Sequence, residues 1–217
     1  KSQACIESSH LALVLIFPLI SISLIAMLIL LTDNRFDVVY VYRVSSLELP
    51  QHFKLTALWG GQSGSLLFWS WLLSGFSFAF SLRKWKHEFD LFSWSLLVIF
   101  FILVFFLALN VLIEIPFERF WLLSDGTRVM GVFQPAGARV LMPQDGQGLN
   151  PLLRHPGMIW HPPALYLGFV GFLIPFALAV SSLAIGRPDQ RWLILSRPWV
   201  LTAWVFLTLG LVLGMRW

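Results

Sequence analysis

The stretch Leu11–Thr32 (LALVLIFPLISISLIAMLILLT) decides the fold class of this chain. It runs for 22 residues without a charged side chain. About 20 consecutive apolar residues are enough for an α-helix to cross the roughly 30 Å hydrocarbon core of a bilayer. The stretch is too long, and too poorly flanked by a cleavage site, to be a simple signal peptide. We therefore predict a transmembrane helix here.

Four further apolar stretches extend this prediction along the chain: Ser65–Leu82, Ser93–Ile113, Trp160–Ile185 and Trp199–Met215. Hydrophobic residues make up 58% of the 217 positions and charged residues 12%. A soluble domain is about 45–50% apolar and about 25% charged. The sequence thus predicts an all-α, polytopic transmembrane helical bundle of about five spanning helices. Residues 1–217 are expected to form one membrane domain, with longer loops at 33–64 and 114–159.

Basic residues are distributed unevenly between the predicted loops. The two short loops hold six of them: Arg83, Lys84, Lys86, Arg187, Arg191 and Arg197. The two long loops hold seven, spread over 78 residues and balanced by acids. Because basic loops stay on the cytoplasmic side, the short loops and the N-terminus are expected inside and the long loops outside. Although the net charge is +4, the basic residues form no patch, and a nucleic-acid partner is not expected.

A glycine-rich segment, Leu58–Ser65 (LWGGQSGS), stands where the second helix enters the membrane. Gly60, Gly61 and Gly64 permit close backbone approach or a positive φ. The polar side chains between them are able to cap the helix or to bond a polar ligand. A turn and cap explain the segment as well as a ligand site does.

The second polar segment surrounds His161. Proline costs no hydrogen bond in the first turn of a helix, so Pro162 and Pro163 predict that helix four begins close to His161. The imidazole then lies at the outer end of this helix, flanked by Trp160 and Tyr166. Neutral imidazole is a good iron ligand, and a haem near the interface needs aromatic walls. A hydrogen bond to a neighbouring helix's carbonyl is the alternative role, and the residues themselves leave both open.

Four blocks of sequence together resemble the N-terminal part of the cytochrome c maturation protein F (CcmF) family of haem-handling membrane proteins. They occur in a fixed order: Trp59–Leu67 (WGGQSGSLL), Gly148–Leu153 (GLNPLL), His161–Gly171 (HPPALYLGFVG), and Arg197-Pro-Trp with Leu201–Gly214 (LTAWVFLTLGLVLG). The resemblance covers most of the chain from about residue 11 onward. The chain starts at Lys1 and ends at Trp217 directly after an apolar run, so we expect a piece of a longer protein.

The resemblance implies a component of a cytochrome c haem lyase, which forms thioether bonds between haem and apocytochrome c outside the membrane. It implies a b-type haem in the bundle with His161 as one axial iron ligand, and a transient haem delivered by a haem chaperone. Further partners would be other cytochrome c maturation membrane subunits, in a bacterial inner membrane or a mitochondrial one. The other residues expected to shape or flank the site are Trp59, Gly60, Gly64, Trp160 and Tyr166.

Alternatives to this function remain at the level of sequence. A membrane transporter would carry charged side chains or broken helices at mid-depth, and the apolar stretches show neither. A cofactor-free membrane scaffold is a second alternative. Within haem handling, the rivals are a paralogue dedicated to one cytochrome and the single-chain haem transporter and synthase family. The second b-haem ligand and the external haem site are expected outside these 217 residues.

Overall fold

The computed structural model describes residues 2–83, 88–186 and 190–217, and these ranges are mainly helical. Their helices are α1 (Ser2–Thr32), α2 (Val39–Val44), α3 (Gln51–Thr56), α4 (Gln62–Ser81), α5 (Phe89–Leu112), α6 (Gly157–Gly171), α7 (Leu173–Ile185) and α8 (Arg191–Gly214). Five stretches are long and apolar enough to cross a membrane: His10–Thr32, Gln62–Ser81, Phe89–Leu112, Gly157–Ile185 and Arg191–Gly214. The predicted polytopic helical fold is therefore confirmed.

The fourth span differs from the prediction of one continuous helix. It consists of α6 and α7, which are separated at Phe172. Pro175 explains the break, because it has no N–H to donate to the carbonyl of Gly171 and its ring clashes with that carbonyl. The span also begins at Gly157, ahead of the predicted start at Trp160.

The fifth span begins eight residues earlier than predicted, at Arg191 instead of Trp199. Arg191 and Arg197 therefore belong to α8 and not to a loop, which corrects their assignment to the short link. Lys84, Lys86 and Arg187, the other basic residues of this argument apart from Arg83, lie outside the described residues. The orientation of the chain in the membrane stays a prediction.

Contacts divide the chain into two compact units, and the expected single membrane domain over residues 1–217 stays a prediction. Unit 1 comprises residues 1–21, 69–107 and 160–217. Within it α6 and α8 pack closely at small residues. A Cβ added to Gly168 would lie 2.6 Å from the backbone nitrogen of Leu207, and one added to Gly171 would lie 2.9 Å from the Cβ of Ala203. Only glycine allows such an approach between helices.

Unit 2 comprises residues 22–68 and 108–159, which include both segments predicted as long loops. These segments contain helices and strands that the prediction of long loops did not include. The first contains α2 and α3, and the second contains an antiparallel sheet of β1 (Arg119–Leu122), β2 (Arg128–Gly131) and β3 (Arg139–Val140) in the order β2-β1-β3. The turn from β1 to β2 uses Gly126 at φ +84°, a conformation that glycine adopts without steric cost.

A buried carboxylate joins the start of this sheet to the segment before α2. The side chain of Asp37 is fully buried and accepts hydrogen bonds from Arg35 Nε and Nη2 at 2.9 and 3.1 Å. Arg119 Nε lies 3.6 Å from Asp37 Oδ2, the oxygen that also accepts from Arg35 Nη2. The hydrogen bond to Asp37 raises the pKa of the Arg35 guanidinium. A buried charge is tolerated only when it is paired in this way.

Candidate functional site

The imidazole of His161 is held by helix α8. Its Nδ1 lies 2.7 Å from the carbonyl oxygen of Gly210. A carbonyl can only accept, so Nδ1 carries the proton and, in the neutral ring, Nε2 carries the lone pair. Metal-binding histidines are commonly oriented in this way, with the non-ligating nitrogen donating to a backbone carbonyl. The structure therefore presents His161 in the tautomer that an iron atom requires at Nε2.

Two further residues at the end of α8 surround this ring. A Cβ added to Gly214 would lie 2.5 Å from His161 Cε1, a separation at which atoms overlap. Gly214 thus provides the space that the imidazole occupies. The ring of Trp217 meets the imidazole edge-on, with centroids 5.4 Å apart and planes at 90°. Helices α6 and α8 thus pack closely at Gly210 and Gly214, and the contact at Gly214 leaves room for the histidine.

The position of His161 in its helix differs from the prediction. Helix α6 begins at Gly157, so His161 is its fifth residue and is half-buried. Pro162 and Pro163 accordingly stand in the second turn and not in the first. A proline there removes the helical hydrogen bond to the carbonyl four residues earlier, which frees the carbonyls of Met158 and Ile159.

The two aromatic residues predicted to flank His161 have other surroundings. The ring of Tyr166 packs against Trp69, with centroids 5.3 Å apart. Five residues separate it from His161, which in a helix of 3.6 residues per turn sets the two on different sides of α6. Trp160 precedes His161 directly and is 68% exposed. The residues brought to the imidazole are instead Gly210, Gly214 and Trp217.

The remaining predicted site residues, Trp59, Gly60 and Gly64, belong to unit 2. The indole Nε1 of Trp59 donates a hydrogen bond of 2.9 Å to the carbonyl of Met158. That carbonyl is one of the two that the prolines of α6 leave without a helical donor. Trp59 therefore completes a hydrogen bond that the sequence of α6 cannot make by itself. The ring also packs against Phe68, at a centroid distance of 5.3 Å.

The glycines of this segment serve close approach and not positive φ, since neither Gly60 nor Gly64 has a positive φ. A Cβ on Gly64 would overlap the carbonyl oxygen of Leu58 and the hydroxyl of Tyr40. A Cβ on Gly60 would lie 2.7 Å from Leu149 Cδ1, so two of the sequence blocks, WGGQSGS and GLNPLL, meet here.

The polar side chains between these glycines bind within the protein. Ser63 Oγ donates to Glu114 Oε2 at 2.8 Å, and Ser65 Oγ donates to the carbonyl of Trp59 at 3.1 Å. The hydroxyl of Tyr40 lies 2.8 and 2.9 Å from the carbonyls of Ala57 and Leu58. Here the turn explains the segment, as one of the two sequence interpretations held.

Among residues 2–83, 88–186 and 190–217, no three His, Cys, Asp or Glu side chains converge as a metal site would require. A haem iron needs fewer protein ligands, because its macrocycle supplies the equatorial nitrogens and the protein only the axial positions.

These features define a multi-pass helical membrane protein that presents an oriented histidine between two of its helices. The chain belongs to the cytochrome C assembly protein family, whose pattern matches residues 59–217. It is 40% identical over 202 residues to the cytochrome c-type biogenesis protein CcmF of Haemophilus influenzae, which covers 93% of this chain and 28% of that protein.

Two further comparisons agree. The Escherichia coli K12 cytochrome c-type biogenesis protein CcmF is 37% identical over 210 residues, covering 97% of this chain and 30% of that protein. A solved structure described as cytochrome c heme lyase CcmF superposes with a TM-score of 0.71 at 27% identity, covering 98% of this chain and 34% of that one. The chain thus spans about a third or less of the relatives that it matches.

Proposed function

We propose that this chain is the part of a cytochrome c haem lyase that holds one axial ligand of a b-type haem, with Nε2 of His161 as that ligand. The observation that carries the proposal is the 2.7 Å contact between His161 Nδ1 and the carbonyl of Gly210. This contact fixes the tautomer and leaves the ligating nitrogen available. When bound, such a haem would supply one-electron chemistry, and so reducing power, for covalent haem attachment.

The residues around His161 would act on this site in three ways. The Gly210 carbonyl accepts a hydrogen bond from Nδ1–H, which makes the imidazole a stronger electron donor at Nε2. Gly214 keeps the space for the ring free. Trp217 meets the ring edge-on and limits its rotation. All three belong to the last turns of α8 or follow it directly, so this end of α8 controls the ligand.

The larger function rests on the similarity to CcmF proteins. We infer that the complete protein helps to form thioether bonds between haem and apocytochrome c on the outer side of the membrane. Its partners would be apocytochrome c, a haem chaperone and other maturation subunits, in a bacterial inner membrane or a mitochondrial one, with the N-terminus of this chain inside. The orientation is tested by fusing an enzyme that is active only in the periplasm to the 114–159 segment. Activity of the fused enzyme would support an outer location of this segment, and inactivity would refute it.

A visible spectrum of the full-length protein tests the haem assignment. His161→Ala is expected to remove the Soret absorbance of the b-type haem, because the variant lacks the proposed iron ligand Nε2. His52→Ala is the matched control, since His52 is exposed and its ring lies tilted against Phe53, with centroids 4.3 Å apart. An unchanged haem content in His161→Ala would refute the assignment. A purified wild-type protein without visible absorbance would favour a cofactor-free scaffold.

A further inference from the structure

A concave surface on the sheet of unit 2 is not explained by the site around His161. It encloses about 400 Å³. Its walls include Tyr42, Phe120, Met130 and Leu141, with Arg128 at the rim. We call this surface the sheet cavity. It lies in the segments between the candidate membrane spans.

The floor of the sheet cavity is aromatic. The rings of Tyr42 and Phe120 meet edge-on, with centroids 5.4 Å apart and planes at 89°. Met130 pairs directly with Phe120 across β2 and β1, and its side chain is 55% exposed. A thioether beside aromatic rings favours a polarisable, flat apolar ligand.

A basic row follows along the strands. Arg128 on β2 and Arg139 on β3 both pair with Leu122 of the central strand. Directly paired residues share a face, so both arginines start from the face that carries Phe120 and Met130. Strand spacing sets their Cα atoms about 10 Å apart, and the basic row lies about 7 Å from the aromatic floor.

The charges of this row are not neutralised within the described part of the chain. The ion pairs found there join Asp37 to Arg35 and Arg119, and neither Arg128 nor Arg139 takes part in one. The nearest acidic residue in sequence to Arg139 is Asp145, which accepts hydrogen bonds from the backbone N–H groups of Leu47 and Gly146. The nearest one to Arg128 is Asp125. It accepts a hydrogen bond from the backbone N–H of Thr127, which lowers the pKa of its carboxyl. Arginine is well suited to bind carboxylates through paired N–H donors.

We propose that the sheet cavity binds a flat apolar ligand with two carboxylates at one edge, the chemistry of the haem ring and its two propionates. This inference rests on the proposed haem-handling function and names a second, separate contact for haem on the chain. The ring would lie over Phe120 and Tyr42, and the propionates would reach Arg128 and Arg139. Neither His nor Cys is among the described residues of the cavity wall, so the ring and propionates carry the binding.

Metal-free protoporphyrin IX is the probe, because it keeps the ring and both carboxylates but cannot be held through iron. Its fluorescence is titrated with the full-length protein in nanodiscs. Arg128→Gln with Arg139→Gln is expected to weaken one class of sites about tenfold, as the loss of two partly exposed charge contacts implies. Each single variant should weaken it about threefold. Arg43→Gln, which removes an exposed charge of unit 2 outside the cavity, should leave binding unchanged.

The dimethyl ester of the same porphyrin separates charge from apolar partition. It should bind wild type and the double variant equally and about tenfold more weakly than the free acid. Equal affinity of the ester and the acid for wild type would overturn the inference, as would an unaffected double variant. The b-haem Soret band, recorded before the porphyrin is added, reports folding of the wild type and of the arginine variants. Loss of the band in His161→Ala would support the proposed function. Unchanged protoporphyrin binding by the Arg128 and Arg139 variants would at the same time refute the site in the sheet cavity.

Met130→Glu provides a second variant should the arginine pair be needed for folding. It brings a carboxylate to the floor of the cavity, where it repels propionates and can pair with Arg128. We expect at least tenfold weaker binding of the acid. Undiminished binding would overturn the inference.

Discussion

The indole of Trp59 donates to the carbonyl of Met158 at 2.9 Å, and this carbonyl has no helical donor because residue 162 is proline. Trp59 thus supplies the hydrogen bond that Pro162, four residues after Met158 in α6, cannot donate. This relationship connects two of the sequence blocks by which the family is recognised.

Trp59→Phe should destabilise the protein by about 1 kcal/mol, the net value of one hydrogen bond. The phenyl ring retains most of the packing on Phe68. The sharper measurement is a double-mutant cycle with Pro162→Ala, in which the stability of each variant is measured by thermal unfolding in detergent. In the alanine background residue 162 supplies its own N–H to Met158, so Trp59→Phe should cost much less there. Additive effects would contradict the pairing.

Gly214→Ala should reduce b-haem occupancy or shift its spectrum, because the added methyl would overlap His161 Cε1. Gly168→Ala is the matched control. It crowds the same pair of helices at Leu207 without touching the imidazole. The reduction potential and Soret position should change more in Gly214→Ala than in Gly168→Ala. Equal changes would mean that helix packing alone is responsible.

Gly64→Ala should destabilise the protein by about 3 kcal/mol, the upper range for overpacking, because its Cβ would overlap a backbone carbonyl that cannot move aside. Gly61→Ala should be milder, since its Cβ would lie 3.0 Å from Tyr40 Cε2 and 3.1 Å from Val44 Cγ1, and side chains can yield. The yield of folded protein and its unfolding temperature distinguish the two. Similar losses at both positions would refute the close-approach explanation.

Asp37→Asn should cost about 2 kcal/mol, less than a fully buried pair because both arginine partners are partly exposed. The substitution leaves Arg35 and Arg119 beside a neutral amide. Asp125→Asn, at a fully exposed position of the β1–β2 turn, should have almost no effect. The two variants are compared by unfolding in urea, with limited proteolysis within residues 114–159 as the measure of unfolding. Equal susceptibility would contradict a structural role for the buried carboxylate.

The spans were predictable because a bilayer requires long apolar helices, and hydropathy records that requirement locally. The sheet was not, since Leu122 acquires its partners Arg128 and Arg139 only through pairing between separate segments. The start of α8 at Arg191 was also missed, because a charged first turn hides a helix from a hydropathy criterion. The break before Pro175 could have been predicted from the proline itself, but the uninterrupted apolar run suggested one continuous helix.

For His161 the sequence left two roles open, iron ligation and a hydrogen bond to a neighbouring helix. The structure shows that they do not exclude each other. The bond to Gly210 uses Nδ1, whereas a ligand to iron would use Nε2. Which nitrogen is engaged depends on the placement of α8, and no spacing within the sequence of α6 records it.

The acceptor for His161 has a consequence for how such a protein changes during evolution. A main-chain carbonyl is present in every amino acid, so no substitution at position 210 deletes it. A mutation at position 210 changes this hydrogen bond only by shifting the backbone of α8, for example through added bulk against Leu165. The hydrogen bond to His161 Nδ1 therefore depends on the backbone path of α8, and a comparison of side chains alone would not reveal it.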